Sequence, residues 1–265
     1  MMRPALAIAR KELEVYFTTP IAWVMLMVVA FFAAQFFNGS LDAYRFLTLR
    51  AFQYQDPSLL ERMNLTDLVV GRLFGSVAVF IVIAAPVLSG RLLAEEKRSR
   101  TFELLMTAPV RPVHIVLGKY LASLAVMAAA VAIVAVFPLV LTVASRGAAG
   151  GAGVEWQTVG TGLLGLFLLG AAAMSVGLVC SALTESVIVA SLVSFIALLT
   201  LWVATVFTVG AEGPVRDVVV ALSASEHLTA FLAGRIELRD VVYYLSLAAL
   251  GLYLAERAVE GHRWG

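Results

Sequence analysis

Residues 95–114 read EEKRSRTFELLMTAPVRPVH, and they lie between two apolar runs that are each long enough to cross a bilayer. This is the densest charged stretch of a chain that is otherwise 61% hydrophobic and only 14% charged. An ordinary soluble domain is roughly 45–50% apolar and about 25% charged. The contrast predicts an integral membrane protein in which this segment stays outside the lipid and contacts another surface.

Six apolar runs approach the length of roughly 20 residues that a helix needs to cross a hydrocarbon core about 30 Å thick. They are residues 20–37, 73–93, 117–143, 159–183, 187–209 and 241–255. None of them alternates polar and apolar residues as a lipid-facing strand would. The predicted fold is therefore an all-α integral membrane protein with six transmembrane helices, in which residues 1–265 form a single domain.

Two segments outside the spans are also predicted to be helical. In residues 1–19, Leu6, Ala9, Leu13 and Tyr16 recur at helical spacing, which indicates an amphipathic helix along the membrane surface. A frayed polar leader is the alternative. Residues 210–240 are predicted to form an outer loop whose apolar stretches, 215–222 and 227–232, fold as short helices.

The distribution of Lys and Arg residues predicts the orientation, because these residues resist translocation. With the N-terminus inside, eleven of them lie on the cytoplasmic side and eight outside, and six of the eleven crowd into residues 91–119. The chain is therefore predicted to be a multi-pass protein of the cell inner (plasma) membrane with both termini in the cytoplasm.

Several kinds of chemistry are disfavoured. Ion-coupled transporters carry titratable residues at membrane depth, and the six runs are predicted to hold none there. A phosphate-binding loop needs a glycine five residues before its Gly-Lys pair, but Val113 precedes Gly118 and Lys119. The three histidines are scattered and the single cysteine is Cys180, so no metal site, cofactor or catalytic residue is predicted. A net charge of +1 gives no case for a nucleic-acid partner.

Residues 95–110 are predicted to contain a short cytoplasmic helix between the second and third spans. Thr101 is a plausible N-cap, Glu103 would lie in the positive first turn, and Pro109 would end the helix after about two turns. One face would be apolar, lined by Phe102, Leu105 and Met106 and widened by Leu104 and Ala108. Such a face packs either on the spans of the same chain or on another protein.

The motif EEKR-x-x-T-x-ELL-x-x-x-PV at residues 95–110, followed by IVLGKYLA at 115–122, resembles the first cytoplasmic loop of the type-2 ABC exporter permeases. The early ARKEL at residues 9–13 is similar to their N-terminal surface helix. Near the other end, RDVVYYLS at 239–246 and RW at 263–264 resemble the subgroup of this family that is named for gliding motility.

This resemblance implies the non-catalytic transmembrane permease subunit of an ABC exporter, with ATP and Mg²⁺ bound by a separate ATP-binding subunit. It implies a second permease chain, identical or related, beside the first in the lipid bilayer. The connecting-helix residues that it carries over are Arg10, Lys11, Glu12 and Glu14. The ATPase-coupling residues are Glu95, Glu96, Lys97, Arg98, Arg100, Thr101, Phe102, Glu103, Leu104, Leu105, Met106 and Pro109.

One coupling residue departs from the family pattern. Arg100 stands where the family usually has glycine, which predicts an altered turn or an additional ion pair with the partner. Two other function classes stay open at this point, an intramembrane enzyme and a membrane scaffold without transport activity. The uncharged spans tell against an enzyme, because catalysis would need a nucleophile and a base, or a metal, facing a cavity.

Overall fold

Apolar segments of this length form helices because a backbone surrounded by lipid must satisfy its own hydrogen bonds. The computed structural model describes residues 3–54, 64–103, 110–145, 153–208 and 213–261. Within these ranges it contains helices and no strands. Six segments are long and apolar enough to cross a membrane, which confirms the predicted all-α, six-span fold; they are Ala22–Gln53, Thr66–Arg98, Pro112–Ser145, Trp156–Leu183, Val187–Val206 and Leu238–Gly261.

Two of the spans include a short turn that is not α-helical. The second span begins with a π-helical turn, Thr66–Gly71, and the fifth continues into a 3₁₀ turn, Ala204–Thr208. The α-helices are α1 (Arg3–Thr18), α2 (Pro20–Gln53), α3 (Arg72–Ser89), α4 (Arg91–Arg98), α5 (Pro112–Ser145), α6 (Trp156–Leu183), α7 (Val187–Val203), α8 (Pro214–Leu222), α9 (Ala224–Leu232) and α10 (Leu238–Gly261).

Helix α2 is much longer than its apolar run. The predicted apolar run ends at residue 37, and the helix continues to Gln53. The polar residues of the extension are satisfied within the helix, since the hydroxyl of Ser40 donates to the carbonyl of Phe36 and that of Thr48 donates to the carbonyl of Tyr44. Its 34 residues span about 51 Å, well beyond a hydrocarbon core of about 30 Å.

The bundle has two chemically different ends. At one of them, here called the charged end, α1, α4 and the start of α5 meet in a cluster of ion pairs. At the other, here called the hairpin end, α8 and α9 pack against the ends of the spans. The hydroxyl of Ser225 donates to the carbonyl of Trp202, and the hydroxyl of Thr161 donates to the carbonyl of Phe231. Arg91 and Lys119 fall inside two of the predicted apolar runs, and both lie at the charged end rather than at mid-membrane depth.

Helix α6 lies at the centre of the bundle and is the most buried of the six described spans. Small residues allow its neighbours to approach closely. A Cβ atom built on Gly162 would lie 2.5 Å from the ring of Phe74, and one on Gly177 would lie 1.7 Å from the hydroxyl of Ser89. A Cβ atom built on Gly160, at the start of the same helix, would have no neighbour within 4 Å.

Candidate functional site

The charged end begins at a break between α3 and α4. The hydroxyl of Ser181, at the end of α6, donates to the carbonyl of Gly90 at 2.7 Å and accepts from the backbone N–H groups of Leu93 and Ala94 at 2.9 Å each. A side chain inserted in this way interrupts the helical hydrogen-bond ladder and satisfies the groups that it separates. The break therefore fixes the direction of α4, which carries Glu95 and Glu96.

Helix α4 ends in a Schellman motif. Arg100 has φ +57°, in the left-handed region, and its N–H bonds the carbonyl of Lys97 at 3.1 Å. The N–H of Thr101 bonds the carbonyl of Glu96 at 3.0 Å, which completes the pattern. Arg100 therefore adopts the left-handed conformation that glycine favours. The turn after α4 has the backbone geometry that is usual for a turn with glycine at this position.

This conformation makes Arg100→Gly a stabilising substitution. A side chain in the left-handed region costs about 1–2 kcal/mol, and glycine would remove most of that cost, so we expect the free energy of unfolding to rise by about 1 kcal/mol. Arg98→Gly, two residues earlier on an exposed helical position, should instead lower it by about 1 kcal/mol. Thermal unfolding in detergent measures both, and equal destabilisation by the two variants would contradict the Schellman geometry.

Lys119 forms the centre of the charged end. Its side chain is 2% exposed, and its Nζ lies 3.0 Å from Glu12 Oε1 and 2.8 Å from Glu96 Oε1. One ammonium therefore joins α1, α4 and α5, three segments that are far apart in the sequence. The second oxygen of Glu96, Oε2, is buried and has no hydrogen-bond partner among the described residues. We call Glu12, Glu96 and Lys119 the lysine node.

A close helix crossing brings Glu12 to Lys119. A Cβ atom built on Gly118 would lie 2.7 Å from Cβ of Ile8 and 2.8 Å from the carbonyl oxygen of Ala5. Only glycine lets α1 approach α5 this closely. The Gly-Lys pair that fails as a phosphate-binding motif is thus a packing residue followed by an ion-pairing residue.

A polar cavity of about 170 Å³ lies beside the node, and Lys11, Arg91 and Glu95 help to line it. Arg91 pairs with Glu95 at 3.0 Å and sits over the ring of Tyr16 at 5.8 Å. Burial raises the pKa of Tyr16, and the nearby Arg91 opposes that rise. Tyr16 therefore stays a neutral phenol at physiological pH.

The structure separates the predicted coupling residues into inward and outward groups. Lys97 is buried, with its Nζ donating to the carbonyl of Ala182 and lying 5.5 Å from the ring centre of Phe102, which is also buried. Glu95, Arg98, Arg100, Thr101 and Glu103 are exposed. Leu104, Leu105, Met106 and Pro109 lie outside the described residues.

The outward group borders an open groove of about 660 Å³. Arg98, Arg100 and Glu103 line one side, and Glu185 lines the other, in the turn between α6 and α7. Both charge signs are therefore presented at the surface of the charged end. Of the predicted connecting-helix residues, Arg10 and Glu14 form an exposed pair at 3.0 Å, whereas Glu12 turns inward to the node.

A second buried polar pair lies at the hairpin end and was missed from the sequence. His227 Nδ1 is 2.6 Å from Asp240 Oδ1, and its Nε2 is 3.0 Å from the carbonyl oxygen of Ala221. The imidazole therefore lies between a carbonyl group, which can only accept a hydrogen bond, and the carboxyl group of Asp240. Tyr243 stacks on the imidazole at 4.0 Å and donates to the carbonyl of Leu222. The pair fastens α8 and α9 to α10.

Within the described ranges, no three His, Cys, Asp or Glu side chains come close enough together to hold a metal ion. His227 and Asp240 were overlooked because they are 13 residues apart, on different helices. The buried ion pairs of Lys119 could have been predicted. Lys119 is a single cation near the start of a long apolar run, where an ionisable residue needs a partner.

Long apolar helices with an ion-paired end define this chain as a multi-pass α-helical membrane protein. The model of the family described as ABC-2 family transporter protein matches residues 6–248. The chain therefore belongs to the ABC-2 transporter family, and it is an ABC-type membrane permease without catalytic function of its own. No curated protein matches the chain by sequence similarity.

Proposed function

We propose that the chain is the permease subunit of an ATP-driven exporter, and that a separate ATP-binding subunit binds at its charged end. In this proposal the partner binds ATP and Mg²⁺. The protein lies in the inner membrane of the cell, with the charged end and both termini in the cytoplasm. A second permease chain, identical or related, completes the unit. The resemblance of residues 239–246 supports placement in the subgroup named for gliding motility.

The observation that carries the proposal is the lysine node. Ion pairs at 3.0 and 2.8 Å tie α1 and α4 to α5, so a displacement of either segment acts directly on the third span. Breaking a buried ion pair costs about 3–5 kcal/mol, so the three segments are expected to move together. The exposed groove next to the node gives a partner access to α4 through Arg98, Arg100 and Glu103.

The coupling residues therefore take different roles in this proposal. Arg98, Arg100, Thr101, Glu103 and the unburied Glu95 would contact the ATP-binding subunit. Glu96, Lys97 and Phe102 would transmit its movement, because their side chains pack within the permease. Arg10, Lys11 and Glu14 of α1 would border the same contact surface, while Glu12 holds α1 in place.

Co-purification tests the proposal. Glu103→Arg combined with Leu105→Arg should reduce the amount of ATP-binding subunit recovered with the tagged permease by at least about tenfold, because a reversed charge at a contact surface costs more than about 1.4 kcal/mol. The matched control is Glu237→Arg combined with Leu238→Arg, which makes the same two changes at exposed positions near the hairpin end. Undiminished recovery with the first variant would overturn the proposal.

A further inference from the structure

The polar cavity of about 170 Å³ beside the lysine node contains a buried hydroxyl group without a hydrogen-bond partner. Tyr16 lines this cavity and is 3% exposed, and none of the described residues hydrogen-bonds its hydroxyl group. The charges of Arg91, Glu12 and Glu95 act on this phenol, so polar groups surround it without bonding it. An unpaired buried hydroxyl is unfavourable, and the cavity is therefore expected to hold a molecule that bridges Tyr16 to its charged neighbours.

The lining of this cavity is balanced in charge. Three cations and three carboxylates line it; they are Lys11, Arg91, Lys119, Glu12, Glu95 and Glu96. Glu12 pairs with Lys119 through Oε1, and Arg91 contacts Glu95 through Nε and Nη2. The Oε2 atom of Glu12 can therefore accept from an ammonium group, and Nη1 of Arg91 can donate to a phosphate. Such a lining favours a ligand that carries both signs of charge over an anion alone.

An apolar groove of about 430 Å³ continues from this cavity, with walls formed by residues 20–28 of α2 and 80–88 of α3. Residue 20 comes one helical turn after Tyr16, and residue 88 comes about one turn before Arg91, and both of these side chains line the polar cavity. Each wall is about 12 Å long at 1.5 Å per residue. This is less than half of a hydrocarbon core of about 30 Å, so the groove fits within the leaflet at the charged end.

The junction of α1 and α2 lies at headgroup depth. Trp23 is 57% exposed, and its indole Nε1 donates to the carbonyl of Phe17 at 3.0 Å. An exposed tryptophan with its polar edge satisfied is typical of the membrane–water interface. Tyr16 precedes Phe17 and lies at the same depth, with the apolar groove beneath it. Val24 and Val87 line this groove and are 55% and 66% exposed, so the groove opens to the surroundings of the chain.

We propose that the cavity and the groove together bind one phospholipid with a primary-amine headgroup, such as phosphatidylethanolamine. Its ammonium group donates to Tyr16 and Glu12, its phosphate pairs with Arg91, and one acyl chain lies in the groove. The occupant is a lipid rather than a second copy of this chain because the apolar groove ends in a polar cavity that fits a headgroup of both signs. The lipid binds without an ATP-binding subunit, so the site is independent of the proposed function.

Native mass spectrometry of the purified full chain tests the headgroup site, with dioleoyl phosphatidylethanolamine and dioleoyl phosphatidylcholine as probes. The choline headgroup carries the same charges but no N–H group, so we expect the ethanolamine lipid to bind roughly fivefold more tightly. Tyr16→Phe should remove most of this preference while it keeps the ring beneath Arg91. Tyr253→Phe is the matched control and should leave the preference unchanged, because Arg257 lies over the ring of Tyr253 in the same way but outside both cavities.

A second variant tests the apolar groove. Ala84→Phe fills the groove and should weaken the binding of both lipids, whereas Val140→Phe, at an exposed position of α5 that does not line the groove, should not. Glycerophosphoethanolamine should not compete with the lipid, because it lacks acyl chains, and competition at equal concentration would overturn the proposal. Equal affinities of the two lipids for the unaltered chain would also overturn it. So would crosslinking of two copies through Val24→Cys in a Cys180→Ser background, because a second chain would then cover the groove.

Discussion

Lys119→Met is expected to lower the free energy of unfolding by about 3–5 kcal/mol. Methionine replaces the apolar stem of the lysine side chain, but the substitution leaves Glu12 and Glu96 without the cation that pairs with both of them. Glu96 already has one buried oxygen without a partner among the described residues, so it has little capacity to compensate. The midpoint of thermal unfolding in detergent should fall well below that of the unaltered chain.

A triple variant separates the lost ion pairs from the lost packing. Glu12→Gln and Glu96→Gln added to Lys119→Met remove the unpaired charges, and most of the lost stability should return, because a neutral replacement of a buried charge cluster is often tolerated. Arg10→Met provides the surface control and should change stability by no more than about 0.5 kcal/mol. A cost below about 1 kcal/mol for Lys119→Met alone would show that the node is not a structural link.

His227→Ala is expected to have the second largest effect, again about 3–5 kcal/mol. The substitution removes the imidazole that contacts the carboxyl group of Asp240 at 2.6 Å, and this carboxyl group is 0% exposed and keeps only a longer contact, at 3.4 Å, with Arg239. It also removes the ring on which Tyr243 stacks. Because this pair fastens α8 and α9 to α10, hydrogen exchange should increase first in Pro214–Leu222 and Ala224–Leu232.

The double variant with Asp240→Ala provides the internal check. If the two side chains act as a pair, the combined loss should be smaller than the sum of the single losses by about 1–3 kcal/mol. Glu226→Ala, at the exposed position next to His227, should leave hydrogen exchange in both helices unchanged. Additive losses from the two single variants would show that the pair does not hold the hairpin end together.

The number and position of the spans could be predicted because hydropathy marks each stretch of helix that lies in lipid. The same signal cannot mark a helix that continues beyond the lipid, and for this reason α2 was predicted to end near residue 37. Local hydrogen bonds of Ser40 and Thr48 to carbonyl groups of the preceding turn accompany the polar extension, which stays helical to Gln53. Hydropathy therefore gave the membrane part of the helix and not its full extent.

The position of the charged end could be predicted from the sequence, but the side-chain contacts within it could not. The motif at residues 95–110 indicated a surface for a partner, whereas the structure turns Lys97 and Phe102 into the bundle. The contact between Glu12 and Lys119 joins residues 107 positions apart and depends on a helix crossing that Gly118 permits. The periodicity of residues within one segment cannot predict a contact between two segments that are far apart in the sequence.

Arg100 shows the limit of residue propensity as a guide to backbone conformation. Arginine disfavours the left-handed region, and the sequence therefore predicted either an altered turn or an ion pair with the partner. The two hydrogen bonds that close α4 accompany a φ of +57° at Arg100. These bonds offset a conformational cost of about 1–2 kcal/mol.

Cysteine accessibility tests most directly the central claim that the charged end faces the cytoplasm, where an ATP-binding subunit can reach it. In a Cys180→Ser background, single cysteines are introduced by Arg98→Cys at the charged end and Arg235→Cys at the hairpin end, both at exposed positions. A membrane-impermeant maleimide applied to intact cells should label only the Arg235→Cys variant, and in inside-out vesicles it should label only the Arg98→Cys variant. Labelling of Arg98→Cys from outside intact cells would contradict the account.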